Sequence, residues 1–222
     1  MARESFQASL DDLRDSVLGM GETVVARHRD AMTALERQDP GLARYVVDND
    51  DEFNAQYLDL EAACIDLLAL EQPVAGDLRF VAASFKILTD LERIADLATN
   101  LGRYGVETET DLVPRADLVD IGELVGELLD DALVAYARGD PDRCVAVAER
   151  DDEVDARCEH VTDHLVRTLL VRNPSSPELK ELIADTNRLL LTVRDLERIG
   201  DHAVNVAART YYMSEGDDDL LY

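Results

Sequence analysis

The sequence predicts an all-α protein made of two tandem copies of one three-helix unit, with six long helices in total. Of the 222 residues 46% are hydrophobic but only 5% are aromatic, and tryptophan is absent. This composition suits helix packing by Leu, Val and Ala better than a β-sandwich. Proline and glycine are few and stand at candidate helix ends, and the sequence matches itself along most of its length.

The internal repeat appears without gaps up to Pro73 and resumes after one short insertion, as expected for a duplicated unit. Three segments have counterparts in the second copy: residues 20–40 over 121–141, 50–52 over 151–153 and 89–100 over 194–205. The offset is 101 for the first two pairs and 105 for the third, because the second copy carries four extra residues (105 − 101) after Pro174. Agreement at two neighbouring offsets indicates duplication.

Turn signals divide each copy into three helices. Asp-Pro pairs at 39–40 and 140–141 have the form of a capping residue followed by the proline of a first helical turn. Pro73 and the proline-rich segment 173–177 end the second helix of each copy. The predicted helices span residues 4–37, 40–71, 75–104, 116–138, 141–172 and 177–212. Short turns between long helices favour antiparallel neighbours in a bundle.

The predicted domain organisation is a first repeat at 1–105, a linker at 106–115, a second repeat at 116–213 and an acidic tail at 214–222. No run of about 18 uncharged apolar residues is present, so no transmembrane helix is expected. The N-terminus lacks the pattern of a secretory signal. Cys64, Cys144 and Cys158 are expected to be reduced, buried thiols of a cytoplasmic protein.

The net charge of −26 arises from 48 acidic and 22 basic residues. Only Lys86 and Lys180 are lysines. Such a surface repels phosphate backbones and anionic lipids, which disfavours nucleic-acid binding, membrane association and anion sensing by the bare protein. Two interpretations remain: adaptation to a high-salt cytoplasm, where screening makes dense charge tolerable, and a surface that binds cations. Lysine-poor, aspartate-rich surfaces resemble those of halophilic archaea.

Carboxylates stand on the predicted core face of the last helix in each copy. In the third helix an apolar stripe at positions 78, 81, 85 and 88 leads, at helical spacing, to Glu92 and Asp96. The sixth helix repeats the pattern with Glu197 and Asp201. Each pair is spaced by four residues, so both carboxylates lie on one helical face.

The second helix of each copy adds further acids. Asp151 falls in the apolar seam of the fifth helix, and Asp155 follows one turn later. The matching pair in the first copy is Asp50 and Asn54. Each copy is therefore expected to bring acids from two helices together.

A carboxylate on a core face loses hydration and repels its neighbours. A bound cation would offset both effects, and the small Ala95 and Gly200 would let two helices approach over it. Three alternatives stay open: ion pairs with Arg93 and Arg198, protonation, or a seam that opens to water at this end. Because the donors are all oxygen, the candidate ions are Mg²⁺, Mn²⁺, Ca²⁺ and Fe³⁺, with zinc the weaker candidate.

The four histidines are weaker candidates for metal ligands. His160 and His164 have the spacing of a zinc pair, but they are expected on the outer face and the first copy does not repeat them. His28 is interpreted as a core histidine. His202 is expected to point away from the acidic residues.

Four motifs in this chain resemble the PhoU family of cytoplasmic regulators of phosphate uptake. They are QPVAGDLR (72–79), TDLERIADLATN (89–100), DDEVD (151–155) and RDLERIGDHAVN (194–205). Taken together they cover both repeats, and their joint presence is far more specific than any single Glu-x₃-Asp pair.

The resemblance implies two pseudo-symmetric three-helix bundles whose acidic motifs bind metal ions or multinuclear metal clusters. It also implies action on the phosphate ABC transporter, through its ATPase subunit, and in many bacteria on a sensor histidine kinase. These actions damp phosphate uptake and phosphate-starvation gene expression. We separately expect a homodimer. The implied metal ligands are Asp50, Glu92, Asp96, Asp151, Asp155, Glu197 and Asp201. The first copy departs from the family pattern at Ala95, where glycine is usual, and at Asn54, so its site is expected to bind metal more weakly.

Two rival functions are weighed against a non-catalytic regulator. A ferritin-like di-metal enzyme would need a Glu-x-x-His pair on two helices, and no histidine here follows a glutamate by three residues. No phosphate-binding loop or nucleophile elbow is present. A helical scaffold or dimerisation module without a functional metal remains the main alternative.

Overall fold

A computed structural model describes the chain over residues 2–48, 50–109, 112–172 and 176–220, with side chains omitted at 2, 3, 50–52, 176 and 177. In these ranges it forms helices and no strand, which confirms the all-α class. The helical segments are α1 (Ala2–Arg37), α2 (Pro40–Asp48), α3 (Asp50–Leu70), α4 (Ala75–Glu107), α5 (Arg115–Arg138), α6 (Pro141–Glu149), α7 (Asp151–Val171) and α8 (Ser176–Glu215).

The second helix of each copy is divided in two, which the sequence did not predict. Arg150 separates α6 from α7 with φ −87° and ψ −7°. Its guanidinium lies 2.7 Å from a carboxylate oxygen of Glu127 and 3.1 Å from one of Asp131, both on α5. These ion pairs hold the bend against the neighbouring helix. The last helices are also longer than predicted, ending at Glu107 and Glu215.

The Asp-Pro pairs begin helices as expected. Asp39 Oδ1 accepts hydrogen bonds from the backbone N–H groups of Gly41 at 2.8 Å and Leu42 at 3.1 Å. Asp140 Oδ1 accepts one from Arg143 N–H at 3.2 Å. Each carboxylate satisfies donors that a first helical turn leaves without partners.

Helices α4 and α8, the last of each repeat, form the most extensive contact between any two described elements. They run antiparallel, because contacts occur in opposite order along them: Glu107 with Arg188, Asp90 with His202, and Arg79 beside Gly216. Helices α1 and α5 also touch, so one continuous core spans both repeats. The two repeats therefore share their interior.

A buried hydrogen bond crosses this shared core. The hydroxyl groups of Tyr136 on α5 and Ser84 on α4 lie 2.7 Å apart, and both residues are fully buried. The Tyr136 ring stacks on Phe80 with 6.2 Å between ring centroids. Burial raises the pKa of the Tyr136 hydroxyl well above its usual range, so the tyrosine stays neutral and acts as a structural anchor.

Several smaller expectations are confirmed. Cys64, Cys144 and Cys158 are free, buried thiols. His28 is buried, with its Nε2 atom 2.7 Å from the carbonyl oxygen of Gly122. None of the described helices combines the length and apolarity that crossing a membrane requires.

Candidate metal site

Four carboxylates meet where α7 packs against α8. Asp151 is the first residue of α7 and Asp155 follows one turn later, while Glu197 and Asp201 are one turn apart on α8. We call these four residues the second-repeat acidic cluster. All of them were predicted ligands, so four of the seven predicted residues lie near enough for their charges to interact.

A close helix approach positions the cluster. A Cβ atom added to Gly200 would lie 3.3 Å from Val154 Cγ1 and 3.8 Å from Asp151 Oδ1. The missing side chain therefore lets α7 lie tightly on α8 and carries Asp151 onto the face that holds the other acids. The expected role of Gly200 in helix approach is confirmed.

The carboxylates raise one another's pKa. Burial raises the pKa of Asp151 to about 6, and the charges of Asp155, Asp201 and Glu197 add to the shift. Burial, followed by the charge of Asp155, also raises the pKa of Glu197 and of Asp201. Ionised carboxylates gathered this closely repel one another, and a cation between them would remove the repulsion.

The Cys158 thiol lies against the same cluster. Burial raises its pKa to about 12, with further contributions from Glu197, Asp155 and Asp201. The thiol is therefore protonated at neutral pH, and a protonated thiol is a poor metal ligand. The chemistry of the site rests on oxygen donors.

One oxygen of the cluster lacks a partner. Asp151 Oδ1 is buried and accepts no hydrogen bond within the described part of the chain. Buried carboxylate oxygens without a donor are rare because their hydration is lost without replacement. A cation is the kind of group that would satisfy this atom, so the donor set fits a hard metal ion.

Arginine does not neutralise the cluster. Among the described residues, no member of the cluster forms an ion pair with arginine. Arg198 only lowers the pKa of Asp201 through its charge. In the second repeat the arginine-bridged alternative is thus not what the structure adopts.

The acids are more exposed than the predicted core face implied. Asp155, Glu197 and Asp201 are exposed and Asp151 is half-buried. The expectation that these acids lie on a buried face was wrong: Leu78 of the predicted stripe is exposed, and so are the apolar Ile183 and Leu190 on α8. Over the ranges described, no three acidic, histidine or cysteine side chains converge into a ready-made metal cage. The cluster therefore lies at the protein surface and is open to solvent.

The first repeat differs at the matching place. Glu92 is half-buried and Asp96 is exposed on α4, while the side chain of Asp50 lies outside the described residues. Tyr57 occupies the position of Cys158 (57 + 101). Its hydroxyl donates a hydrogen bond to Glu61 Oε1 at 3.0 Å, and partial burial raises its pKa, with smaller contributions from Glu61 and Glu92.

The histidines behave as the sequence indicated, with one addition. His160 and His164 are exposed on the outer face of α7. His202 turns away from the acidic cluster, and its Nδ1 atom lies 2.9 Å from Asp90 Oδ1 across the repeat boundary. That pairing was missed, since no local pattern links residues 112 positions apart.

The PhoU domain profile matches this chain twice, over residues 17–104 and 118–210. This chain belongs to the PhoU family. The two matches coincide with the two halves of the duplication, so each repeat of this PhoU-family chain is one PhoU domain. The resemblance inferred from the four motifs is confirmed.

Similar proteins cover nearly all of this PhoU-family chain. The phosphate-specific transport system accessory protein PhoU homolog of Pseudomonas putida is 35% identical over 218 residues, 97% of this chain and 82% of that protein. The Escherichia coli (strain K12) phosphate-specific transport system accessory protein PhoU is 32% identical over 215 residues, 96% and 86% respectively.

Solved structures share the fold. The crystal structure of PhoU from Pseudomonas aeruginosa superposes with a TM-score of 0.87 at 34% identity, covering 96% of this chain and all of that one. The phosphate transport system regulatory protein PhoU from Streptococcus pneumoniae gives 0.86 at 25% identity, covering 96% and 98%. These names describe accessory and regulatory proteins and no enzyme, as expected for this PhoU-family chain.

Proposed function

We propose that this protein is a non-catalytic, cytoplasmic regulator of phosphate uptake and phosphate-starvation signalling. The observation that carries the proposal is the match of PhoU domains in both repeats. Relatives that cover 96–97% of the chain are named as accessory proteins of the phosphate-specific transport system. The free buried cysteines agree with a reducing compartment.

The proposal includes a metal-binding role for the second-repeat acidic cluster. Asp151, Asp155, Glu197 and Asp201 would hold the ion or a multinuclear cluster. Their oxygen-only donor set favours Mg²⁺, Mn²⁺ or iron over zinc. The partnerless oxygen of Asp151 and the raised pKa values of three members support this role. A bound metal would supply positive charge on an otherwise acidic surface.

The regulator would act as an adaptor, as a homodimer, on the ATPase subunit of the phosphate ABC transporter, on a sensor kinase, or on both. Exposed carboxylates around a metal leave coordination positions that a partner's acidic side chain can fill. A metal bridge of this kind overcomes the repulsion between two acidic surfaces. Its strength would then depend on metal supply.

The regulatory role is tested by complementing a deletion strain grown with ample phosphate. The deletion should raise phosphate uptake and a phosphate-starvation reporter, and the wild-type gene should restore repression. The Glu197→Ala/Asp201→Ala variant should fail to restore it. Asp217→Ala/Asp218→Ala, which removes two acids outside the cluster, serves as the matched control. Wild-type levels of uptake and reporter in the deletion strain would refute the regulatory role.

Metal content separates the adaptor from a helical scaffold without metal. Elemental mass spectrometry on the dialysed protein should find stoichiometric metal in the wild type and a loss in Glu197→Ala/Asp201→Ala. A scaffold would hold no metal, and removing repulsive acids would leave it equally or more stable. Repression that survives the loss of metal would favour the scaffold.

A further inference from the structure

A groove between α3, α4 and α8 has the opposite electrostatic character to the rest of the molecule. It encloses about 610 Å³, a volume within the usual range for small-molecule sites. Its lining combines three basic residues, Lys86, Arg93 and Arg209, with several apolar residues. In a chain of net charge −26, three basic side chains around one groove are unexpected.

These three cations are not used in ion pairs. Within the described ranges, no carboxylate lies at salt-bridge distance from Lys86, Arg93 or Arg209. Arginines elsewhere do find partners; Arg150 binds Glu127 and Asp131. With 48 acidic residues available, three partnerless cations on one groove indicate that their charge serves a ligand.

Arg209 gives a second observation. Its Nε atom is buried, and no protein group of the described chain accepts a hydrogen bond from it. A buried donor without an acceptor loses its hydration without replacement. The one carboxylate on the groove wall, Asp90, has an oxygen 2.9 Å from Nδ1 of His202. An anion in the groove would supply the missing acceptor.

The duplication shows that this charge is not a general property of the repeat. At the offset of 105, Lys86 corresponds to Leu191 and Arg209 to Tyr104. His202 on the groove wall corresponds to Leu97, and only Arg93 has a basic counterpart, Arg198. The basic groove therefore belongs to the α4 side of the molecule alone, although both repeats share the same framework.

The spacing of the cations suits an extended anion. Lys86 and Arg93 lie on one face of α4 and are seven residues apart, which places their backbones about 10 Å apart along the helix. Arg209 contributes from the antiparallel α8. A chain of phosphates would offer an oxygen partner to each of the three cations.

The apolar part of the lining indicates an organic portion of the ligand. It includes Ile65, Leu68 and Phe85, and Ile65 is 53% exposed. A nucleobase buries both of its faces well against aliphatic and aromatic side chains. We propose that the groove binds a nucleoside polyphosphate, with its phosphates on Lys86, Arg93 and Arg209 and its base against Ile65 and Phe85. This site stands independently of the metal site and of the regulatory role.

The earlier argument from net charge does not oppose this site. A charge of −26 describes the whole surface and slows the approach of an anion from a distance. Over a Debye length of about 8 Å at physiological ionic strength, the nearest charges dominate. In the groove these are partnerless cations, so the local attraction decides binding.

Isothermal titration of the full-length protein with ATP tests the proposal. EDTA is present throughout, so that metal-bridged binding at the acidic cluster cannot contribute. We expect saturable 1:1 binding whose Kd rises at least tenfold in Lys86→Ala and in Arg209→Ala. Lys180→Ala, at the only other lysine, is the matched control and should bind as the wild type does. Circular dichroism melts establish that each variant is folded.

A second pair of titrations tests whether the apolar lining contacts the base. Ile65→Ala should weaken ATP binding by about threefold to tenfold, as expected for the loss of one buried aliphatic contact, and should leave inorganic tripolyphosphate binding unchanged. Absence of ATP binding, or equal binding by wild type and Lys86→Ala, would overturn the proposal. Binding of inorganic phosphate without ATP binding would also overturn it, in favour of a purely inorganic anion site.

Discussion

The Nδ1 atom of His202 lies 2.9 Å from Oδ1 of Asp90, so a buried hydrogen bond joins the last helices of the two repeats. The equivalent acidic residue of the second repeat has a different partner. Asp195, the counterpart of Asp90, is fully buried and binds the guanidinium of its neighbour Arg194 at 2.7 Å. The same acidic position therefore links the two repeats in one copy and stays within one helix in the other.

Replacing His202 by leucine should destabilise the protein by about 1–3 kcal/mol, because it leaves the Asp90 carboxylate buried without its partner. Leucine is the residue found at the equivalent position 97, so the framework accommodates its shape. Urea unfolding followed by circular dichroism gives the free energy.

The double variant Asp90→Leu/His202→Leu is the control for that prediction. When both polar partners become apolar, no buried group is left unsatisfied, and the loss should be smaller than the sum of the two single variants. Additive losses would show that the hydrogen bond does not couple Asp90 to His202.

The raised pKa of Asp151 predicts a loss of stability with rising pH in metal-free protein. The folded pKa is about 6, against 3.8 for an ordinary aspartate. Below about pH 4 both states hold the proton; between pH 4 and 6 the unfolded chain releases it first, so stability falls and the loss is complete above pH 6. Asp151→Asn should lack this component and gain stability relative to wild type above pH 6.

Asp152→Asn is the matched control, because it removes an exposed first-turn carboxylate of the same helix. The free energy of unfolding is measured with denaturant from pH 4 to pH 8 in the presence of a chelator. Its difference from wild type should depend on pH much less for Asp152→Asn than for Asp151→Asn. A wild-type profile parallel to that of Asp151→Asn would contradict the burial of this carboxylate beside its neighbours.

Two glycines on long helices should respond oppositely to alanine. A Cβ atom on Gly105 would lie 2.6 Å from the Cα atom of Leu35, so α1 and α4 would have to move apart. We expect a destabilisation of about 1–3 kcal/mol. Gly19 is exposed in α1 with no atom within 4 Å of the added carbon, and alanine there should stabilise by about 0.5–1 kcal/mol. Thermal melts of both variants decide the point.

The hydroxyl pair in the core predicts that removing one hydroxyl group costs more stability than removing the other. Ser84 also donates a hydrogen bond to the carbonyl of Phe80 at 2.8 Å, so it retains a partner in Tyr136→Phe. That change should remove about 0.5–1.5 kcal/mol, whereas Ser84→Ala leaves the buried tyrosine hydroxyl unsatisfied and should remove about 1–3 kcal/mol. Equal losses in urea unfolding would show that the tyrosine finds another acceptor.

The helices were predictable because their signals are local. Asp39 and Asp140 cap the helices that the two Asp-Pro pairs predict. The four-residue spacing of Glu197 and Asp201 places both on one face of α8. The bend at Arg150 was not predictable, since no proline or glycine marks it and its ion pairs lie on another helix.

The burial of the predicted stripe was misjudged for a related reason. Helices α4 and α8 are central, and each contacts several neighbours, so their buried arcs are broad. Apolar residues at the edge of such an arc, such as Leu78 and Leu190, remain exposed. The acids continue the same helical face and are therefore also exposed. The basic groove combines Lys86 with Arg209 from another helix, a proximity that only the tertiary structure provides.

The antiparallel pairing of α4 with α8 bears on how the molecule arose. A half-length chain would present its last helix as an apolar, self-complementary face, and a second copy would cover it through a two-fold axis. Fusing the two copies releases this interface from symmetry, because a substitution on one side is no longer repeated on the other. His202 facing Asp90, with Leu97 at the mirrored position, is such a divergence. Covalent linkage thus allows the two sides of this internal interface to differ in chemistry.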